Sequence, residues 1–334
     1  MTKLNAKLKS LWVTVFLGAM LGAGPAQAKE LRIGLVLDKG GKDDKSFNSA
    51  AYVGAMKAKD ELHVFVKYVE ATDENSFENL LRAFAQKDFD IVISIGVTQR
   101  DAMRKVSAQF PAKHFAIVDA EVKAPNVRSM LFEEHQGSYL MGAAAALTSK
   151  SGAVGFIGGM DIPLIRRFQL GYEAGAKKVN PSIKVLANYI GITGDAWNNP
   201  AKGKELAVSQ YDQGADVVFA VAGASNTGVF DAVEERGKFA IGVDSNQNWI
   251  KPGRILTSML KRVDVAVFST CRDLTQGKFE PGVHHFGLDT QGVDYAVDKN
   301  NEKILPESAR KIIDALKAQI IAGKIQVPDY YKKK

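Results

Sequence analysis

With 334 residues, 46% of them apolar and 24% charged, the chain is long enough to bury ordinary hydrophobic cores, and its length suggests two domains. A single cysteine, Cys271, excludes intramolecular disulfides and with them the stapled secreted scaffolds. The formal charge of +7 includes Lys3, Lys7 and Lys9 near the start and Lys332, Lys333 and Lys334 at the end. The body of the chain is therefore near neutral, and no basic stripe with interleaved aromatics supports nucleic-acid binding.

Residues 1–28 read as a secretory leader: three lysines, the apolar run LWVTVFLGAMLGAG, then Ala26-Gln27-Ala28 as an A-x-A cleavage pattern. The apolar run is shorter than the roughly 20 residues that span a bilayer, and no later stretch reaches that length. The expectation is a soluble, exported protein beginning at Lys29. Lipid anchoring is not expected, because a lipoprotein needs a cysteine at the cleavage point and the sole cysteine lies at 271.

From residue 31, strand-like and helix-like runs alternate: LRIGLVL, a helix over 47–61, VFVKYVEA, a helix over 76–87, DIVISIG, a helix over 99–110, HFAIVDA and a further strand, NVRSMLFE. Val- and Ile-rich strands separated by helices of this length indicate βαβ units and a parallel sheet. The cycle then restarts with a helix over 139–147, AVGFIGG, a helix over 164–179, KVLANYIG, a helix over 201–213, DVVFAVAG, a helix over 228–236, FAIGVDS and ILTSMLK. Two similar α/β halves lie in series. The remainder, a helix over 263–276, a strand over 282–288 and a helix over 306–322, fits neither half alone unless it returns to complete both. The expected division is 29–134 plus 262–288 for the N-terminal lobe and 135–261 plus 289–334 for the C-terminal lobe, with a hinged cleft and no low-complexity linker.

In open α/β sheets, ligands bind outside the carboxyl ends of the strands. Asp38 follows the first strand, before a Gly-Gly turn and the polar segment DDKSFN, 43–48, which opens a helix. Phe47 there is either a staple folded onto its own helix or a ring offered to a flat ligand. Asp119 and Asp244 end the strands IVD and GVD, as caps or as cleft carboxylates. Their recurrence in two halves favours a site, where a carboxylate can accept paired hydrogen bonds from hydroxyl or N–H groups. Lys261 at a strand end and Trp197 in GDAWNN have both a surface and a site reading, and Arg166-Arg167 reads as a solvated helix face outside the site. No GxSxG, HExxH, GxxxxGK[ST] or CxxC pattern occurs, GFIGG at 155–159 fails the dinucleotide spacing, and His284-His285 point to opposite strand faces. No catalytic residue, cofactor or metal is expected.

The segments DDKSFN (43–48), FIGGMDIPLIRRFQLGYEAGA (156–176), NNPAKGKELA (198–207), VVFAVAGASNTGVFDAVEE (217–235) and GVDSNQ followed by TSMLKRVDVAV together resemble the basic membrane protein family. These are substrate-binding components of ABC importers, with members similar to the purine nucleoside receptor type. The resemblance implies a type I periplasmic-binding-protein fold with two doubly wound parallel-sheet lobes joined by a multi-strand hinge. It also implies a periplasmic, non-enzymatic monomer that captures a purine nucleoside and passes it to an ABC permease in the inner membrane. Carried over position by position, the ligand-binding residues are Asp38, Phe47, Asn48, Asp119, Asp244 and Lys261. For a second aromatic wall, Phe168 and Trp197 are favoured over Phe219. Many family members are lipoproteins, and this chain departs from them in lacking the lipid-bearing cysteine. Another flat or sugar-like ligand, such as a flavin or a pentose, and a ligand-sensing receptor subunit stay open at this level.

Overall fold

A computed structural model describes residues 30–332. The leader at 1–28, its cleavage after Ala28, and Lys333 and Lys334 lie outside the described residues. The chain runs β1 (Arg32–Leu37), α1 (Phe47–Leu62), β2 (Phe65–Glu70), α2 (Phe77–Ala85), β3 (Ile91–Ile95), α3 (Arg100–Gln109), β4 (His114–Val118), β5 (Val127–Phe132) and α4 (Glu134–Thr148). It continues through β6 (Ala153–Met160), α5 (Pro163–Val179), β7 (Lys184–Gly191), α6 (Pro200–Asp212), β8 (Val217–Val221), α7 (Asn226–Arg236), β9 (Phe239–Asp244) and β10 (Ile255–Lys261). The last elements are α8 (Val263–Thr275), β11 (Gly282–Phe286), β12 (Val293–Tyr295) and α9 (Glu307–Ile321). No described helix is long and apolar enough to cross a membrane.

The strands form two six-stranded sheets in the orders β11-β5-β4-β3-β1-β2 and β12-β10-β9-β8-β6-β7. All pairings are parallel except β10 with β12. Central strands such as β3 (IVISI) and β8 (VVFAV) are buried along their whole length, as continuous β-branched runs must be when helices cover both faces. The edge strands β2 and β7 instead mix exposed and half-buried positions. The two halves thus share one topology. The C-terminal segments that fitted neither half complete both, β11 extending the first sheet and β12 the second.

The chain passes between the sheets three times: from β5 to α4, from β10 to α8, and from β11 to β12. The passages are tied together. Glu133 N donates to Phe286 O at 2.9 Å, Arg262 N to Gly292 O at 2.8 Å, and Leu288 N to Gln136 Oε1 at 3.0 Å. This is a three-strand hinge.

Two elements differ from the sequence reading. Helix α4 begins at Glu134 rather than near 139, because its first turn is polar yet buried, with Glu134 and His135 almost fully enclosed. An apolar periodicity cannot register a turn whose burial depends on charged partners. Strand β12 has three residues and went unread because so short a run carries no period.

Helix α4 packs on α5 closely enough that glycine is required. A Cβ at Gly142 would lie 1.9 Å from the carbonyl oxygen of Tyr172, and one at Gly175 the same distance from that of Tyr139. Backbone cannot retreat as a flexible side chain can, so Gly175→Ala is expected to lower stability by about 3 kcal/mol through overpacking. Chemical denaturation measures this, and an unchanged midpoint would show that the helices do not meet as described.

Candidate functional site

Between the carboxyl ends of the two sheets lies a cavity enclosing about 630 Å³ not filled by protein atoms, part of it open to solvent. Asp38, Phe47, Asn48, Asp119, Phe168, Trp197, Asp244 and Lys261 all line it. Phe219 does not; it is fully buried in β8 among Phe156 and Tyr172.

The loop after β1 is shaped by Asp44, which the sequence reading passed over. Its buried carboxylate accepts hydrogen bonds from the backbone amides of Ser46 (2.8 Å), Asn48 (2.8 Å) and Ser49 (2.9 Å), satisfying the free N–H groups that open α1. Asn48 links this cap to the strand end: its Nδ2 donates to Asp44 Oδ2 (3.0 Å) and its Oδ1 accepts from Asp38 N (2.8 Å). The amide of Asn48 is thus largely committed to holding the loop. The Asp38 carboxylate accepts from Thr98 Oγ1 at 2.8 Å and from Lys39 N at 2.7 Å. Burial pushes its pKa up, against the opposing effect of those two bonds. Gly96, at φ 113°, leaves room for this carboxylate, since a Cβ there would lie 2.7 Å from Asp38 Oδ2. Phe47, the first residue of α1, lines the cavity beside this loop.

Asp119 and Asp244 stand at the ends of β4 and β9, which occupy the same position in the two sheets. Both adopt left-handed backbone conformations, φ 68° and 65°, that cost a non-glycine residue energy and cluster at functional sites. Neither caps a helix. Asp119 Oδ2 accepts from Lys261 Nζ at 2.6 Å, and Asp244 Oδ2 from Ser46 Oγ at 2.5 Å. Asp119 Oδ1 is buried with no hydrogen-bond partner among the described residues. Burial raises the pKa of both carboxyls against the pull of Lys261, that of Asp244 to about 6.

Lys261 is not a solvated strand-end charge; it is 2% exposed. Its ammonium touches Asp119 and, at 3.1 Å, Glu134 Oε1, with the rings of Phe132, Phe47 and Phe168 at 5.1, 5.2 and 5.5 Å. Burial disfavours its charge, but the carboxylates of Asp119, Glu134 and Asp244 outweigh this and raise its pKa.

Arg167 also departs from the solvated-face reading, which Arg166, paired to Asp161 and partly exposed, does follow. Arg167 is buried and donates to Asp329 (2.8 and 3.1 Å), Glu133 (2.6 Å), Glu134 (2.6 Å) and the carbonyl of Phe132. Glu133, His135 and Asp329 offer donor atoms within 4.8 Å of one another, a spacing that suits a metal ion. The Arg167 guanidinium already occupies that cluster, bonded to two of its members. Glu134 carried a usable signal, a carboxylate just beyond an apolar strand like Asp119. Arg167 carried none, its burial depending on partners remote in sequence.

On the side of the second sheet the cavity is lined by Trp197, in the turn before α6. Its ring lies against the backbone of β6, where a Cβ at Gly159 would be 2.2 Å from it. Phe168 reaches the cavity from α5 but is 2% exposed, its ring mostly packed in the core.

A family model described as Bmp, ABC transporter substrate-binding protein PnrA-like, matches residues 32–330. The ABC transporter nucleoside-binding protein BmpA of Lactococcus lactis is 33% identical, the alignment covering 90% of this chain and 89% of that protein. An uncharacterized lipoprotein of Pyrococcus abyssi is also 33% identical, over 87% of this chain and 76% of its own length. Among solved structures, ABC transporter solute-binding proteins from Aeropyrum pernix superpose with a TM-score of 0.82 at 29% identity, covering 89% of this chain and 94% of that one. The family and this structural relative are solute-binding proteins, not enzymes. The chain belongs to the Bmp family of PnrA-like ABC transporter substrate-binding proteins.

Proposed function

We propose that this substrate-binding protein captures a purine nucleoside between its two sheets and delivers it to an ABC permease. The observation that carries the reading is the matched pair of strained strand-end aspartates, Asp119 and Asp244, set around the buried Lys261 with an acceptor oxygen of Asp119 unpartnered. Such carboxylates suit a ligand with adjacent hydroxyls, while Phe47 and Trp197 supply apolar surface for a flat base. The two cations on the cavity wall are already paired, Lys261 with Asp119 and Glu134 and Lys39 with Asp195. A phosphate would therefore meet excess negative charge, which favours nucleosides over nucleotides.

The same proposal takes Asp38, Phe47, Asn48, Asp119, Phe168, Trp197, Asp244 and Lys261 as the ligand shell. It takes 29–134 plus 262–288 and 135–261 plus 289–334 as the two lobes, a division that the sheet memberships of β11 and β12 and the packing of α8 on α1 support for the described residues. It also takes the protein to be an exported, unlipidated monomer. Cys271, the sole cysteine, is buried in α8, whereas the Pyrococcus relative is named a lipoprotein.

Purine nucleosides are expected to raise the melting temperature, since a ligand that binds only the folded state adds about 2.7 kcal/mol at a hundredfold excess over Kd. A scan showing no shift with adenosine, guanosine or inosine, but a shift with riboflavin, ribose or AMP, would replace the proposed ligand. Phe47→Ala should cost about 1–3 kcal/mol of binding for nucleoside and free base alike, through lost stacking. Asp244→Ala should penalise adenosine and spare adenine, because a carboxylate on the sugar contributes nothing to a free base. Isothermal titration separates the two, and a Phe47→Ala variant that loses stability but keeps affinity would make the ring a helix staple.

The raised pKa of Asp244 gives a pH dependence of definite sign. The folded carboxyl titrates near 6 and the unfolded one near 3.8, so between these values the folded state holds the extra proton, and stability of the ligand-free protein falls as pH rises. A ligand hydroxyl prefers the ionised form. Asp119, which burial raises to about 7, titrates in the same window, so inosine affinity is expected to fall at least about tenfold from pH 7 to pH 5. A flat profile by titration calorimetry would show that Asp244 accepts no hydrogen bond from the ligand.

A further inference from the structure

The loops at the cleft are bonded directly to each other. Ser46, immediately before α1, is fully buried and donates its hydroxyl to Asp244 Oδ2 at 2.5 Å. Its carbonyl accepts from Ser245 Oγ at 3.0 Å, and the neighbouring carbonyl of Lys45 accepts from Gln247 Nε2 at 2.9 Å. One side of each bond follows β1 of the first sheet, and the other ends or follows β9 of the second. Ser46, Ser245 and Gln247 are all absent from the cavity lining.

Each side is made rigid before the two meet. Gln247 Oε1 accepts from Val243 N at 2.9 Å, and Gln247 N donates to Ser258 Oγ at 2.9 Å, so the amide that reaches Lys45 is fixed by its own strand. Opposite it, Asp44 pins the amide of Ser46, and Lys45 adopts φ 58°, a conformation unfavourable for a lysine that turns the loop before α1. Lys45 holds this strained conformation outside the cavity lining, kept there by the bonds around it.

We propose that this joint is a built-in latch: Ser46, Ser245 and Gln247 hold the two sheets' loops together and set how long a bound ligand stays, without touching it. The proposal rests on the cavity being the ligand site, not on the ligand's identity. Opening must break these three hydrogen bonds along with the ligand's own contacts, so they belong to the release step. Association takes place through the open form, in which these bonds are absent, so their loss does not slow it. They are positioning residues, and their signature is a split between the two rate constants.

Ser245→Ala carries the test, because its hydroxyl bonds only the Ser46 carbonyl and its removal leaves the Asp44 cap and Asp244 in place. Stopped-flow release of adenosine is expected to be about tenfold faster in Ser245→Ala and in Ser46→Ala than in the wild type. Association should be no slower, melting temperature should hold, and Ser245→Thr should restore slow release. Small-angle scattering of the ligand-free proteins should show a larger radius of gyration for both alanine variants. Release at the wild-type rate, or a loss confined to association, overturns the latch. If adenosine and inosine fail to bind the wild type, the nucleoside reading falls by itself, and the scattering comparison decides alone, with identical radii overturning the proposal.

Discussion

The ammonium of Lys261 is the charge around which this molecule is assembled. It sits at the last residue of β10, where the chain leaves the second sheet, and bonds Asp119 at the end of β4 and Glu134 at the start of α4. One ion thereby joins both sheets and two of the three passages between them. A buried ion pair is no great source of net stability, but removing one member leaves the other unpaired in a low dielectric, typically at about 3–5 kcal/mol. Such a group fixes geometry more than it adds stability. Burial lifts the pKa values of Asp119 and Asp244 against the pull of Lys261, and the neighbouring carboxylates, which outnumber that one ammonium, push the same way as burial.

Behind Lys261 the chain of charge continues. Glu134 shares its second oxygen with Arg167, which in turn holds Glu133 and Asp329 and is covered by the ring of Tyr331 at 5.0 Å. Asp329 belongs to the segment after α9, so the end of the described chain is bonded to the hinge and, through two further residues, to the cavity wall. The network adds charged ties to the hydrogen bonds that already join the hinge passages, so displacement of one passage alters the partners of the others.

The parts of this arrangement that were legible in the sequence are those a local pattern records. Strand ends are visible as the close of an apolar run, so Asp38, Asp119, Asp244 and Lys261 could be placed at the crevice, and alternating strands and helices gave both sheets. Residues whose environment depends on distant partners were not legible. Lys261 read equally well as a solvated charge, Arg167 read as one outright, and the start of α4 vanished because Glu134 and His135 are polar yet buried. Asp44 was overlooked for a different reason: DDKSFN shows several polar residues, and only the fold shows that one of them receives three backbone amides.

The two halves repeat each other, and the departures from repetition give the cavity its direction. Asp119 matches Asp244 in strand position and backbone conformation, and Gly96 and Gly223 follow β3 and β8 with positive φ on both sides. The residues after β1 and β6 are again both aspartate, but they diverge. Asp38 is turned into the cavity by Thr98, whereas Asp161 is turned away by Arg166, which bonds it at 2.6 and 2.7 Å. In place of a second inward carboxylate, the β6 side offers the ring of Trp197, admitted by Gly159. A symmetric cleft would accept a ligand either way round. At these matched positions a carboxylate faces one side and an indole the other, so the two sides of the cavity are not equivalent.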